Sequence, residues 1–117
     1  MNPRLSTYLK TLRRRHGLTQ KELAFLCGMN GGTQFSRYER GVRDPSLAAM
    51  VALLIIFCTT PSELFPGLHA EIQRMVIERA EELYAQLQGD PKVVTSIKLD
   101  LLERLIKSPQ NPNHPAV

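Results

Sequence analysis

Thr33, Gln34, Ser36, Arg37 and Arg40 lie close together in the sequence. Wound at about 100° per residue, Thr33, Arg37 and Arg40 fall on one side of a short helix, with Gln34 and Ser36 on its flanks. Phe35 and Tyr38 occupy the opposite side, with Glu39 beside them. One side of such a helix is apolar enough to be anchored. The other carries an amide, hydroxyls and two guanidiniums. A guanidinium pairs bidentately with guanine, an amide pairs with adenine, and hydroxyls tolerate either, so these groups suit base edges and phosphates. An ordinary amphipathic surface helix shows the same pattern, and the surrounding sequence must decide between the two.

Catalytic and metal chemistry find less support. His16, His69 and His114 are scattered without ligand-like spacing. Glu78, Glu81 and Glu82 share the polar side of an amphipathic segment, which is a solvated face. Ser, His and acidic residues form no legible triad. Cys27 and Cys58 sit in apolar segments and read as small buried hydrophobes rather than as a disulfide or a metal pair. The link from Gly28 to Thr33 is glycine-rich, but no strand precedes it and no Lys-Ser or Lys-Thr pair follows it, so it is not a phosphate cradle. The expectation is a protein that is not an enzyme and takes no metal or cofactor.

Charge is distributed unevenly. Residues 1–44 carry nine Lys and Arg against Glu22, Glu39 and Asp44, whereas acidic residues outnumber basic ones in 45–117. A basic N-terminal part suits a polyanionic partner. The chain has 117 residues, 43% of them hydrophobic, no Trp and 6% aromatics, which fits a compact fold with a modest aliphatic core. Its longest apolar run, Leu47–Cys58, is far shorter than the roughly 20 residues of a membrane span. With no apolar signal segment at the N-terminus, a reducing, cytoplasmic setting is expected.

The elements that must position these residues are helices. Leu5, Leu9 and Leu12 recur at i, i+4, i+7 and predict a first helix over Leu5–Arg15, stopped by His16-Gly17. Thr19 and Glu22 form a capping box that opens a second helix, and Gly28 ends it. A third spans Gly32–Arg40 and stops at Gly41. Asp44-Pro45 supplies a cap and a first-turn proline for a fourth, whose run Leu47–Cys58 is apolar on nearly every face and is expected to lie centrally buried. Thr60-Pro61 opens a fifth, with Thr60 and Glu63 as a second capping box, and Pro66-Gly67 closes it. No stretch alternates with period two, so no strands are expected. Further on, Ile72, Met75, Val76, Ala80, Leu83 and Leu87 share one side of a helix over His69–Gln88. Gly89-Asp90-Pro91 breaks the chain, and a helix over Val93–Lys107 follows, its apolar side formed by Val94, Ile97, Leu101, Leu102 and Leu105. The two make a helical hairpin. Ser108–Val117, with three prolines, reads as a disordered tail.

Two segments together resemble a known family. One is Leu12-Arg13-Arg14-Arg15-His16-Gly17-Leu18-Thr19-Gln20-Lys21-Glu22-Leu23-Ala24. The other is Phe35-Ser36-Arg37-Tyr38-Glu39-Arg40-Gly41 followed by Arg43-Asp44-Pro45-Ser46-Leu47. In combination they resemble the lambda-repressor-like (Cro/CI, or XRE) helix-turn-helix over about residues 5–65. The resemblance implies an all-α, five-helix bundle whose third helix enters the major groove while the start of the second touches the DNA backbone. It implies base contacts from Thr33, Gln34 and Arg37, and phosphate contacts from Gln20, Lys21, Arg40 and Arg43, with Gln20 at a helix N-terminus. It also implies an ion pair between Arg13 and Glu39 that ties the first helix to the third. One departure stands out. The link Gly28–Thr33 is a residue longer than is usual in the family, and Gly31-Gly32 replaces a polar cap and the first reading residue. A late start for the third helix follows, with Asn30 available as its cap.

The hairpin's apolar stripes need a partner, either the N-terminal bundle or a second copy. A homodimer interface through Ile72, Val76, Leu83, Leu87, Leu101 and Leu105 is expected, because helix-turn-helix proteins commonly bind pseudo-palindromes as dimers. The expected organisation is a DNA-binding domain over residues 1–67, a dimerising hairpin over 68–107 and a tail over 108–117. The expected function is a dimeric repressor reading a palindromic operator in double-stranded DNA. The alternative is an antitoxin-like module whose hairpin binds a partner protein.

Overall fold

The computed structural model describes residues 7–111, and all regular structure among them is helical. The elements are α1 (Leu9–Arg15), α2 (Gln20–Leu26), α3 (Thr33–Glu39), α4 (Leu47–Phe57), α5 (Pro61–Leu64), α6 (Pro66–Leu87) and α7 (Val93–Ile106). The chain divides into two compact units, one ending at Glu71 and the other beginning at Ile72. The expected helical turn at Leu5 and the stretch 112–117 of the expected tail lie outside the described residues. Among the described residues, no helix is long and apolar enough to cross a membrane.

Local chemistry accounts for most helix ends. Thr19 Oγ1 accepts from the Glu22 amide at 3.0 Å, and Glu22 Oε1 accepts from the Thr19 amide at 2.9 Å, which completes the expected capping box. Gly17 and Gly28, at φ +69° and +73°, supply the left-handed residues that close α1 and α2. The start of α4 differs from expectation. Ser46, not Asp44, is its cap, accepting from the Ala49 amide at 3.1 Å. The second capping box is only half made. Thr60 accepts from the Glu63 amide, but the Glu63 carboxylate takes the Thr59 hydroxyl instead. Pro66-Gly67 also behaves differently, opening α6 rather than closing α5. Proline at a first helical position sacrifices no intrahelical hydrogen bond, so the same residue that stops one helix can begin the next.

The Thr19 hydrogen bonds hold the Glu22 carboxyl below its ordinary range. A lowered folded-state pKa makes this contribution to α2 fully present above the usual carboxylate pKa and lost as pH falls through the lowered value. Acid titration of the wild type and Glu22→Gln is expected to show the two stability curves converging in that acidic window. Curves that stay parallel there would remove the capping carboxylate from the account.

The core of the first unit gathers Leu9 from α1, Leu23 and Ala24 from α2, Phe35 and Tyr38 from α3, Ala49 and Leu53 from α4, and Leu64 and Phe65 around the end of α5. Contrary to expectation, α4 is not buried on all sides. Only Ala49 and Leu53 are buried, while Leu47, Val51 and Ile55 are exposed. An all-apolar sequence has no amphipathic signal to say which side faces inward, so position in the bundle alone decides it. Cys58 departs as well. It lies exposed at the left-handed C-cap of α4, with φ +49°, whereas Cys27 is half-buried. Both are free thiols.

In the second unit, the buried residues of the helices are Ile77 and Ala80 on α6, and Thr95 and Leu102 on α7. Ile77 and Thr95 are absent from the stripes read in the sequence. At the turn between the helices, Gly89 takes φ +83° and Asp90 Oδ1 accepts from the Lys92 amide at 3.0 Å. After α7 the chain folds back. The Asn111 amide donates to the Ser108 carbonyl, Asn111 Nδ2 donates to the Ile106 carbonyl, and Asn111 is buried.

Candidate nucleic-acid interface

The short helix α3 is fixed from below by two rings. Phe35 is fully buried, and Tyr38 packs on it edge to face, with ring centroids 5.4 Å apart and an interplanar angle of 72°. Such a pair contributes beyond its buried area because a positive ring edge meets a negative face. The helix packs on both α1 and α2.

A buried ion pair fixes its far end. Arg13 Nε donates to Glu39 Oε2 at 2.6 Å, and a terminal nitrogen of the same guanidinium donates to Oε1 at 3.2 Å. The other terminal nitrogen donates to the Leu18 carbonyl at 2.8 Å. Gln20 Nε2 adds a bond to Glu39 Oε1 at 2.9 Å, and Thr7 Oγ1 donates to the Glu39 carbonyl. Both charged side chains are at least nine-tenths buried. A fork-to-carboxylate pair of this kind is directional as well as strong. It joins α1, the start of α2 and the end of α3, which fixes how α2 and α3 sit together.

The glycine-rich link answers a steric need. Gly31 adopts φ +93°. At Gly32, a Cβ would lie 3.0 Å from Gln20 Cβ and 3.2 Å from both the Gln20 carbonyl carbon and the Lys21 nitrogen. That is backbone-to-backbone contact between the cap of α3 and the first turn of α2, so only glycine fits easily. Gly32 itself is the N-cap, without a side-chain bond, and Asn30 does not serve as the cap.

The opposite side of α3 faces solvent. Thr33, Arg37 and Arg40 are exposed, as are Lys21 on α2 and Arg43 beyond α3. Arg40 Nε leans on its own helix, donating to the Ser36 carbonyl at 3.3 Å. Lys21, Arg37 and Arg43 make no side-chain hydrogen bond or ion pair among the described residues. Gln34 sits half-buried, and its Oε1 is the one buried side-chain polar atom without a hydrogen-bond partner among the described residues. Gln20 is half-buried and engaged with Glu39. Of the expected base and phosphate residues, Lys21, Thr33, Arg37, Arg40 and Arg43 are thus exposed, whereas Gln20 and Gln34 are half-buried. Among the described residues, no group of three or more His, Cys, Asp or Glu is placed to hold a metal ion.

Comparison with protein families matches the helix-turn-helix domain over residues 4–64, just over half of the chain. The chain belongs to the helix-turn-helix domain family. No curated protein and no solved structure gives a match. Helix-turn-helix domains dock their second helix in the major groove with its outward residues toward base edges. The Gln20–Glu39 bond and the close approach at Gly32 are not readable from the sequence. Two adjacent glycines in the link are the available signal for Gly32, but without coordinates they indicate flexibility as readily as crowding.

The expected dimer residues divide in two. Ile72, Val76, Leu83 and Leu101 are exposed, and Leu87 and Leu105 are half-buried.

Proposed function

We propose that the protein is a sequence-specific transcriptional regulator that binds double-stranded DNA through α3, and that it acts as a homodimeric repressor on a palindromic operator. A binding module, not an enzyme, fits these features. The observation that carries the reading is the locked α3. Its inner side is held by Phe35, Tyr38 and the Arg13–Glu39 pair, while Arg37 stands exposed and uncommitted on the outer side. In this reading Arg37 and Thr33 meet base edges, with Gln34 joining them once its amide swings outward. Lys21, Arg40 and Arg43 meet phosphates. Gln20 keeps its bond to Glu39 and offers the first-turn amides of α2 to a phosphate. The exposed apolar residues of α6 and α7 support dimerisation through the hairpin over residues 68–107, which would present two α3 helices to half-sites about 34 Å apart.

Selection of bound duplexes from a random pool tests this directly. Enrichment of a two-fold symmetric site is the expected result. An unenriched pool, or an unlike protein held on the hairpin after purification, would overturn it. On the selected site, Arg37→Ala is expected to cost about 1–3 kcal/mol and to relax preference at one base position. Arg43→Ala is expected to weaken all sequences alike and to reduce the log–log salt slope by about one. Uniform weakening from Arg37→Ala would reassign that residue to phosphate.

A further inference from the structure

The link between α2 and α3 carries a chemically reactive pair. Asn30 is followed by Gly31, and both residues are exposed. Asn30 does not cap α3, and its side chain makes no hydrogen bond among the described residues. The Gly31 amide donates to no backbone carbonyl among them. Gly31 holds φ +93°, and apart from its chain neighbours no heavy atom stands within 4 Å of where a Cβ would project. The chain's other asparagines lack this arrangement. Asn2 and Asn111 precede proline, which has no N–H to react. Asn111 is also buried. Asn113 precedes His114, whose side chain crowds the intervening nitrogen.

We propose that Asn30-Gly31 is a self-modifying site, which converts through a succinimide, and that its conversion displaces the start of α3 and weakens the reading of DNA. The Gly31 nitrogen attacks Asn30 Cγ. The N–Cγ bond forms, the Cγ–Nδ2 bond breaks, and the proton from the Gly31 N–H leaves with the side-chain nitrogen as ammonia. Water then opens the ring at either carbonyl. Opening at Cγ gives aspartate. Opening at the backbone carbonyl gives isoaspartate, in which the main chain runs through the side chain and is longer by a methylene. Water is the only co-reactant. Glycine favours the closure because it brings no Cβ against the forming ring. The surroundings turn this chemistry into a change at α3. No charged residue lies between Glu22 and Arg37. The new carboxylate therefore has no ionic partner on its own segment and repels phosphate on the approach to α3. Gly32 already lies against the Gln20–Lys21 backbone with no room for a Cβ. An added methylene just before it cannot be absorbed at that contact and moves the first turn of α3 instead. The effect on DNA rests on the reading of α3 proposed above, whereas the chemistry of the link does not.

Ageing the full-length protein in warm, mildly alkaline buffer tests it, with far-UV circular dichroism as the folding control. Trypsin then releases Glu22–Arg37, in which Asn30 is the sole asparagine. Mass spectrometry is expected to show this peptide converting to the acid at a rate comparable to that of the same peptide free in solution, while Asn111 stays intact. Labelling by an isoaspartyl methyltransferase identifies the isoaspartate. Asn30→Gln keeps the amide but closes its larger ring slowly, and it is expected to remain unmodified. On a selected duplex, aged wild type is expected to lose affinity on the order of tenfold, the scale of one base contact. Aged Asn30→Gln is expected to bind as the fresh protein does. Asn30→Asp, which carries the charge without the longer chain, is expected to lose less than the isoaspartate form. Conversion that occurs only after urea unfolds the chain would overturn the site. Full affinity in protein whose Asn30 is wholly converted would overturn the consequence. Fresh protein indifferent to every duplex would strike the reading of α3 instead, and the peptide chemistry would then decide the site by itself.

Discussion

Arg13→Ala is expected to lower the free energy of unfolding by about 3–5 kcal/mol, the usual consequence of leaving one half of a buried ion pair behind. The loss comes less from the missing attraction than from the carboxylate that remains. Glu39 is 9% exposed and keeps only the Gln20 amide as a side-chain partner. A buried charge held by one neutral donor is costly. The Leu18 carbonyl also loses its guanidinium donor. Urea unfolding measures the effect. The double replacement Arg13→Met with Glu39→Leu separates stability from geometry, because exchanging a whole buried pair for apolar residues of similar volume is often neutral or stabilising. If the pair serves mainly to set how α2 and α3 meet, the double variant recovers its stability but not its affinity for DNA. If affinity returns with stability, the pair is only a fastening.

Much of this geometry is legible in the sequence because local chemistry forces it. The Thr19–Glu22 box, the glycine stops at 17 and 28 and the inward placement of Phe35 and Tyr38 all depend on residues within one or two turns of each other. Arg13 and Glu39 are 26 positions apart, and no periodicity brings them together; only the family resemblance pairs them in advance of the fold. What stays hidden is decided by neighbours distant in sequence. The resemblance marks Gln20 as a phosphate contact at a helix N-terminus, yet in the fold its side chain turns inward to Glu39. Gly32 is required by the backbone of α2, twelve residues away. The start of α4 is ambiguous because Asp44-Pro45 and Ser46 are both acceptable caps, and only the backbone path chooses Ser46. Helix α4 itself misleads for a related reason. Uniform hydrophobicity signals burial in general, but a small bundle has too little interior to surround a helix on every side.

Phe35→Ala is expected to cost about 3–5 kcal/mol, the range for removing a fully buried ring. Phe35 has no exposed surface and sits beneath the middle of α3. Its removal opens a cavity between α3 and the rest of the core and leaves Tyr38 without its edge-to-face partner. Unlike a surface variant, this one acts on the face of α3 opposite the proposed contacts, so any effect on DNA must travel through the orientation of the helix. Phe35→Leu isolates that effect. It keeps most of the volume and is expected to cost less than the alanine change, so the variant remains folded at ordinary temperature. Its affinity for a selected site is nevertheless expected to fall by more than the change in folded fraction allows, because a smaller, branched side chain lets α3 settle and shifts Arg37 relative to the groove. Small misplacements of a reading helix are costly because base-edge hydrogen bonds depend on angle as well as distance. Full affinity in Phe35→Leu would mean that the Arg13–Glu39 tie alone orients α3.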